Sequence, residues 1–307
     1  MVRVSIDLSP VRQQPITKAR IQEMITWKPR RMQLCNEWPN PLHEPKKPDE
    51  NWRLVLPFCE TFHNAFEEMC DVDSIGIRTG KGGRGYTFLN DAKDNPQTLE
   101  RVKAWLDTVG RYVAIRDCLA LSFALDYDRH AGNPNMAQTE IGKLRSRAKP
   151  YDKAVTSDVR AAAKDLSAAC LAALQELSCY DVADAVAAMP PARTDKEFDL
   201  PQTLAGEIAR RWKRPDLSSA VRTVRSRPPI KNSALTEKLA AIEGTVEADS
   251  KAFKGKSVLL IDDLYQSGVS MNYVAMVLLD AGARKVLGLA CEKTCTNDDN
   301  VSRAGQR

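Results

Sequence analysis

The 307-residue sequence contains no run of about 20 apolar residues, so it offers no membrane-spanning helix. Its first residues, Met1 to Pro10, place Arg3 and Asp7 where a secretory leader needs an apolar core. The expectation is a cytoplasmic chain with reduced thiols and no membrane contact. Zinc-type spacing is also missing. None of the eight cysteines forms a Cys-x-x-Cys pair, and Cys291 and Cys295 have no second pair or histidine beside them. The three histidines, His43, His63 and His130, are scattered. Free thiols and no directly ligated metal are therefore expected. No Cys–His or Ser–His arrangement suggests a covalent nucleophile. A large excess of one charge is lacking as well: 45 basic against 40 acidic residues leave +5. That suits a local phosphate site better than a nucleic-acid coat protein.

What is present is globular composition, 43% hydrophobic and 28% charged, at a length that suggests two domains or one with a long extension. The opening 60 residues are rich in proline, with four prolines between Pro39 and Pro48. Proline fixes φ and removes a donor, so an extended arm is expected there. Trp27, Trp38 and Trp52 around it argue that the arm packs on something. Ser74 to Phe88 alternates apolar residues on both sides of Gly80-Lys-Gly-Gly-Arg-Gly85, which predicts a hairpin with a wide turn. That turn could also cradle phosphate, but it lacks the Gly-Lys-Ser/Thr ending of a P-loop.

Helical spacing then predicts a helix over Thr98 to Leu125, and another over Ser157 to Leu177 with Ser157 as its N-cap. Beyond Tyr180 strands and helices alternate. Ala183–Met189, Ala220–Val224, Val258–Ile261 and Val286–Ala290 read as strands; Leu200–Trp212 and Ser270–Ala281 read as helices, the latter capped by Ser270 and ended by Gly282. Alternation of this kind implies an α/β fold with a mostly parallel sheet flanked by helices.

The chemistry concentrates in Gly255 to Met271. A buried strand delivers two carboxylates, Asp262 and Asp263, to its C-terminal end, where open α/β sheets bind ligands. Adjacent like charges repel, so the pair makes sense as acceptors for vicinal hydroxyls, directly or around a metal. The following loop, Gln266-Ser267-Gly268-Val269-Ser270, lies at a helix N-terminus, where unpaired N–H groups and the dipole favour an anion. Together these parts suit a sugar phosphate: acids on the ribose hydroxyls, loop on the 5′-phosphate. The G-x-G-x-x-G of a dinucleotide site is absent.

Val258 to Ser270 resembles the signature of type I phosphoribosyltransferases: four apolar residues, two acids, then a loop ending Thr-Gly-x-Thr/Ser. Within that family it is most similar to ComF-like competence proteins, through Asp262-Asp263-Leu264-Tyr265-Gln266-Ser267-Gly268-Val269-Ser270 and on to Leu278–Ala283. Upstream, Thr139 to Tyr151 and Ala188-Met-Pro-Pro191 resemble ComF-like segments more loosely. The sequence departs from the pattern at Gln266 and Ser267, which replace threonines, and at Lys196–Asp199, which replaces Arg-Gly-Phe-Asn.

The resemblance implies a type I phosphoribosyltransferase-like domain over 111–300, an extra N-terminal α+β hood or extension over 1–110, and a loose tail over 301–307. It implies a Mg²⁺-dependent glycosyltransferase that transfers 5-phosphoribosyl from 5-phosphoribosyl-1-pyrophosphate (PRPP) to a nucleobase or related amine with release of pyrophosphate, and PRPP or a nucleotide monophosphate as the bound ligand. Asp262 and Asp263 would hold the 2′- and 3′-hydroxyls, and Gln266 to Ser270 the 5′-phosphate. Mg²⁺ would arrive through PRPP, without a protein ligand. Arg193 and Lys196, after a strand end, and Arg225, Arg227 and Lys231, in the interval Val221–Lys254 matching a flexible active-site loop, are the pyrophosphate candidates. Two alternatives stay open: a PRPP- or nucleotide-sensing module without turnover, and a ComF-like accessory factor in DNA handling, for which single-stranded DNA would be a partner. Homo-oligomerisation is also left open.

Overall fold

Apolar burial divides between the two faces of one sheet. The computed structural model describes residues 11–27, 31–32, 40–130, 133, 135–150, 154–193, 198–226 and 235–294. Its strands are β1 (Arg31–Met32), β2 (Leu42–His43), β3 (Trp52–Leu56), β4 (Arg78–Thr79), β5 (Gly85–Leu89), β6 (Val113–Ile115), β7 (Leu121–Tyr127), β8 (Ala185–Ala188), β9 (Val221–Thr223), β10 (Val246–Ala248), β11 (Ser257–Tyr265) and β12 (Lys285–Lys293). Its helices are α1 (Lys18–Thr26), α2 (Glu60–Met69), α3 (Pro96–Val109), α4 (Glu140–Ala148), α5 (Ser157–Glu176), α6 (Leu200–Trp212), α7 (Leu235–Ile242), the single turn α8 (Ser250–Phe253) and α9 (Val269–Asp280).

The main sheet runs β1-β6-β7-β12-β11-β8. Its four strands β7, β12, β11 and β8 are parallel, and β6 and β1 extend it antiparallel. The architecture is α/β with a mostly parallel sheet, as the alternation of elements predicts. Parallel strands covered on both sides read as continuous apolar runs, and every residue of β12 is buried. On one face Leu259, Ile261, Leu287 and Phe123 pack with α2, α3, α5 and α6; on the other Val258, Leu260, Val286 and Ala124 pack with α1, α7 and α9.

Several sequence expectations are corrected in detail. The helix expected over Thr98–Leu125 stops at Val109, and the rest supplies β6 and β7. An apolar run buried on both faces carries no period that separates strand from helix. The cap of α5 is Thr156, whose Oγ accepts from the Val159 N–H, rather than Ser157. The helix expected from Ser270 begins at Val269 and has Gly268, not Ser270, at its N-cap. The strand expected at Ala220–Val224 is β9, which pairs only with β10 in a two-stranded antiparallel ribbon.

The N-terminal region forms a second, antiparallel sheet of order β2-β3-β5-β4. The predicted hairpin is β4 and β5, and β2 falls within the proline-rich stretch. Leu54, Leu56 and Leu89 point inward onto Phe62, Phe66 and Trp105 of α2 and α3. The Trp105 ring stands edge-on to Phe66 at 5.2 Å. Helix α2 is also tied to the main sheet, because Thr61 Oγ donates to the Ile115 carbonyl and Asn64 Nδ2 to the Ala120 carbonyl. The described cysteines are free. Among the described residues no helix is long and apolar enough to cross a membrane.

Candidate functional site

The carboxyl ends of the parallel strands converge on a polar cluster. Strand β11 is longer than its apolar run, because β12 continues to pair with it through Leu264 and Tyr265. Asp262 and Asp263 therefore sit within the strand near its end, not in the loop beyond it. Successive side chains on a strand point to opposite faces, so the two carboxylates diverge, and each contributes a different oxygen environment to the same cleft.

Asp263 is 6% exposed. Its Oδ2 accepts from Arg145 Nε at 3.0 Å, Arg145 Nη2 at 2.9 Å and Lys149 Nζ at 2.9 Å. Arg145 also reaches Glu292 at the end of β12, Nη1 to Oε1 at 3.0 Å. Burial would raise the Asp263 carboxyl, but Arg145 and Lys149 outweigh it and hold the group below the usual range, ionised. All three donors converge on Oδ2, and Asp263 lines the cleft. Asp262 is half-buried, and its Oδ1 accepts from the Asp263 N–H at 2.9 Å. Burial and then the charge of Asp263 push its carboxyl well above the usual carboxylate range. The pair thus splits into one anion and one acid that holds its proton to higher pH. Burial raises Glu292 to about 7, against the pull of Arg145.

Helix α4 brings the two cations. Thr139 caps it, donating its hydroxyl to the Tyr127 carbonyl at 2.6 Å and accepting from the Gly142 N–H at 3.0 Å. Gly142 permits the docking: a Cβ there would lie 2.5 Å from the Asp128 carbonyl oxygen. One and two turns later Arg145 and Lys149 reach over the end of β11.

The other wall is the turn Gln266–Gly268 and the start of α9. Gly268 has φ +80° and stands at the N-cap without a capping side chain, and the Val269 N–H turns back to Ser267 Oγ at 3.5 Å. A Cβ on Gly268 would collide with the Tyr265 hydroxyl. That hydroxyl donates to Asp117 Oδ2 at 3.1 Å and accepts from Asn272 Nδ2 at 3.3 Å, so the turn rests on a buried platform. Burial raises Asp117 to about 6.

Between the walls lies a cleft of about 190 Å³. Of the residues assigned to the ribose and 5′-phosphate, Asp262, Asp263, Gln266, Ser267, Gly268 and Ser270 line it. Val269 does not; it is fully buried under the helix start. Lys149 lines it too and went unassigned as a ligand group from sequence; Lys238 of α7, which is 2% exposed, belongs to the basic first half of the interval Val221–Lys254 read as suited to pyrophosphate. Arg145 and Glu292 were missed altogether. The only sequence signal for Arg145 and Lys149 was the segment Thr139–Tyr151, where a basic last helical turn precedes Pro150. Of the pyrophosphate candidates, Arg193 is exposed and does not line the cleft. Arg225 is bound to the Glu243 carbonyl at 3.1 Å, outside the cleft lining. Lys196, Arg227 and Lys231 lie outside the described residues.

No protein-family model and no curated protein matches the chain. Among solved structures, one described as the allosteric regulatory enzyme of purine biosynthesis matches at 14% identity and a TM-score of 0.35, over 78% of this chain and 44% of that one. The chain thus spans less than half the length of that protein, and a likeness at this level decides nothing about activity.

Proposed function

We propose that the cleft binds the phosphorylated ribose of PRPP or of a nucleoside monophosphate, and that the chain transfers the 5-phosphoribosyl group to a nucleobase or related amine. One observation carries this reading: a small cleft has a carboxylate pair with Lys149 on one wall, a glycine turn at a helix N-terminus on the other, and Lys238 in its lining. The acids suit hydroxyl groups; the turn and lysines suit phosphate. At about 190 Å³ the described walls enclose less than the roughly 300–1,000 Å³ of a drug-sized pocket. That is the scale of a sugar phosphate rather than a whole nucleotide.

In this reading Asp263, anchored through Oδ2, offers Oδ1 to a ribose hydroxyl. Asp262 donates or accepts at the neighbouring hydroxyl according to its proton. The fixed anion of Asp263 faces the ribose as positive charge develops at C1, which is the electrostatic stabilisation such a transition state needs. Lys149 and Lys238 offset phosphate charge. Mg²⁺ carried by the pyrophosphate would neutralise the leaving group; the carboxylate oxygens are hard donors that suit it, although the lysines beside them favour an anion over a directly bound cation.

A second reading, a sensor that binds without turnover, is favoured by Gln266 in place of a hydroxyl residue and by the engagement of Asp263 with two cations. Calorimetry with PRPP and Mg²⁺, followed by mass detection of pyrophosphate across a panel of nucleobases and amines, separates the two. Turnover with any acceptor supports the transferase. Tight PRPP binding with no turnover supports the sensor, and no PRPP binding overturns both.

A further inference from the structure

The proposed phosphoribosyl site leaves the outer face of the N-terminal sheet unexplained. Alternation along β3 and β5 turns Leu54, Leu56, Thr87 and Leu89 inward and Arg53, Val55, Tyr86 and Phe88 outward. Register places Arg53 opposite Phe88, Val55 opposite Tyr86, Arg78 of β4 opposite Tyr86, and His43 of β2 opposite Arg53. The outward positions thus hold two aromatic rings on a central strand with an arginine on each side, and no acid. Arg53 and Arg78 are exposed and make no side-chain hydrogen bond or ion pair among the described residues. Phe88 is 36% exposed, although phenylalanine is normally buried. The Tyr86 and Phe88 rings stand edge to face at 6.3 Å.

The approach to these rings is built, not loose. The turn Lys81–Gly83 carries left-handed Gly82 and Gly83, and the Arg116 guanidinium packs where a Cβ on Gly83 would be. Gly85 sits so close to the Phe58 carbonyl and Ile77 that a Cβ would meet both at about 3 Å. The run Arg84-Gly85-Tyr86-Thr87-Phe88-Leu89 therefore follows, at its basic residue, glycine and two rings, the spacing with which a sheet presents stacking rings to unpaired bases. It departs from that spacing at Thr87, which faces inward, and at Asp91. Where a second ring would lie on the neighbouring strand it has Arg53, whose planar guanidinium also stacks on bases.

We infer that this sheet face binds single-stranded RNA, with Phe88 and Tyr86 stacking successive bases and Arg53 and Arg78 contacting phosphate or stacking beside them. Charge complementarity selects a polyanion, and exposed rings select one with unpaired bases. A duplex hides its π-faces, and an anionic protein surface offers no planar groups at this spacing.

The test uses the full chain and fluorescence anisotropy with a labelled ribonucleotide oligomer of about 10 residues, the matching deoxy oligomer and a duplex, at about 50 and 200 mM salt. The expected result is saturable binding of the ribo-oligomer that weakens with salt, exceeds that of both other probes, and falls about 5- to 100-fold in Phe88→Ala. Phe88→Tyr keeps a stacking ring and restores it; Arg53→Gln lowers affinity and shallows the salt dependence. An unchanged melting temperature in Phe88→Tyr and Arg53→Gln guards against misfolding. No binding at the lower salt, binding indifferent to both Phe88→Ala and Arg53→Gln, or equal binding of the deoxy strand overturns the assignment. PRPP binding, measured on the same samples, is expected to stay unchanged in these variants, so the two sites fail independently.

Discussion

Asp263 does two jobs that a substitution can separate. It neutralises Arg145, which is buried with it, and it lines the cleft. Removing one member of a buried ion pair costs about 3–5 kcal/mol when it strands the other. Arg145 keeps Glu292 as a partner, so Asp263→Ala should lower unfolding free energy in urea denaturation by less than that full amount. Asp262→Asn should leave stability nearly intact, since Asp262 carries little charge to lose, yet weaken PRPP binding about 10- to 100-fold if its carboxyl bonds a ribose hydroxyl. Glu292 gives a pH signature. Its folded carboxyl is held up to about 7 against an ordinary value of 4.5, so the folded state keeps a proton that the unfolded chain releases. Its contribution to stability is then full below pH 4.5 and is lost as pH rises to about 7, by up to about 1.4 kcal/mol per pH unit. Glu292→Gln cannot release that proton. Its stability relative to the parent should rise between pH 5 and pH 7.5, and a difference that stays flat would show Glu292 to be unperturbed.

At the scale of elements, the account depends on α4 and α9 being held at fixed heights above the sheet. Gly142 sets the first height. Ala at that position must push α4 off the Asp128 carbonyl, which it would otherwise approach to 2.5 Å, and carry Arg145 and Lys149 with it. Gly142→Ala is expected to lower both the melting temperature and PRPP affinity, whereas an exposed control such as Gly244→Ala, which meets nothing within 4 Å, should lower only the former. The elements also show what could be read in advance. Leu200–Trp212 was legible to the residue, because Asp199 caps it, Pro201 suits its first turn and its apolar spacing is regular. Of strand β11 only the apolar run Val258–Ile261 was legible, because its continuation through Tyr265 depends on pairing with β12. The span 110–125 was not, since strands buried on both faces have no period to betray them. The partners of Asp263 were hidden for a different reason: Arg145 lies 118 residues away, and only the crossing of α4 over the sheet brings them together.

For the whole molecule, the sequence pointed to an α/β fold with a mostly parallel sheet and to the hairpin of β4 and β5, while the rest of the N-terminal third stayed opaque. Its strands are short, three of them of only two residues, and its proline-rich stretch hides β2. Its helix α2 hydrogen-bonds to the main sheet through Thr61 and Asn64, so that region is fastened to the body that carries the cleft. One consequence is that ligand in the cleft, if it binds only the folded chain, raises the melting temperature of the entire molecule. The central claim is that the cleft between Asp262–Asp263 and the Gly268 turn grips a phosphorylated pentose. Isothermal titration of the full chain with PRPP and Mg²⁺, beside Asp262→Asn, tests it most directly. The account predicts saturable one-to-one binding that Asp262→Asn weakens at least about 10-fold without loss of folding. Absence of binding by the parent chain, or equal affinity in both proteins, would contradict it.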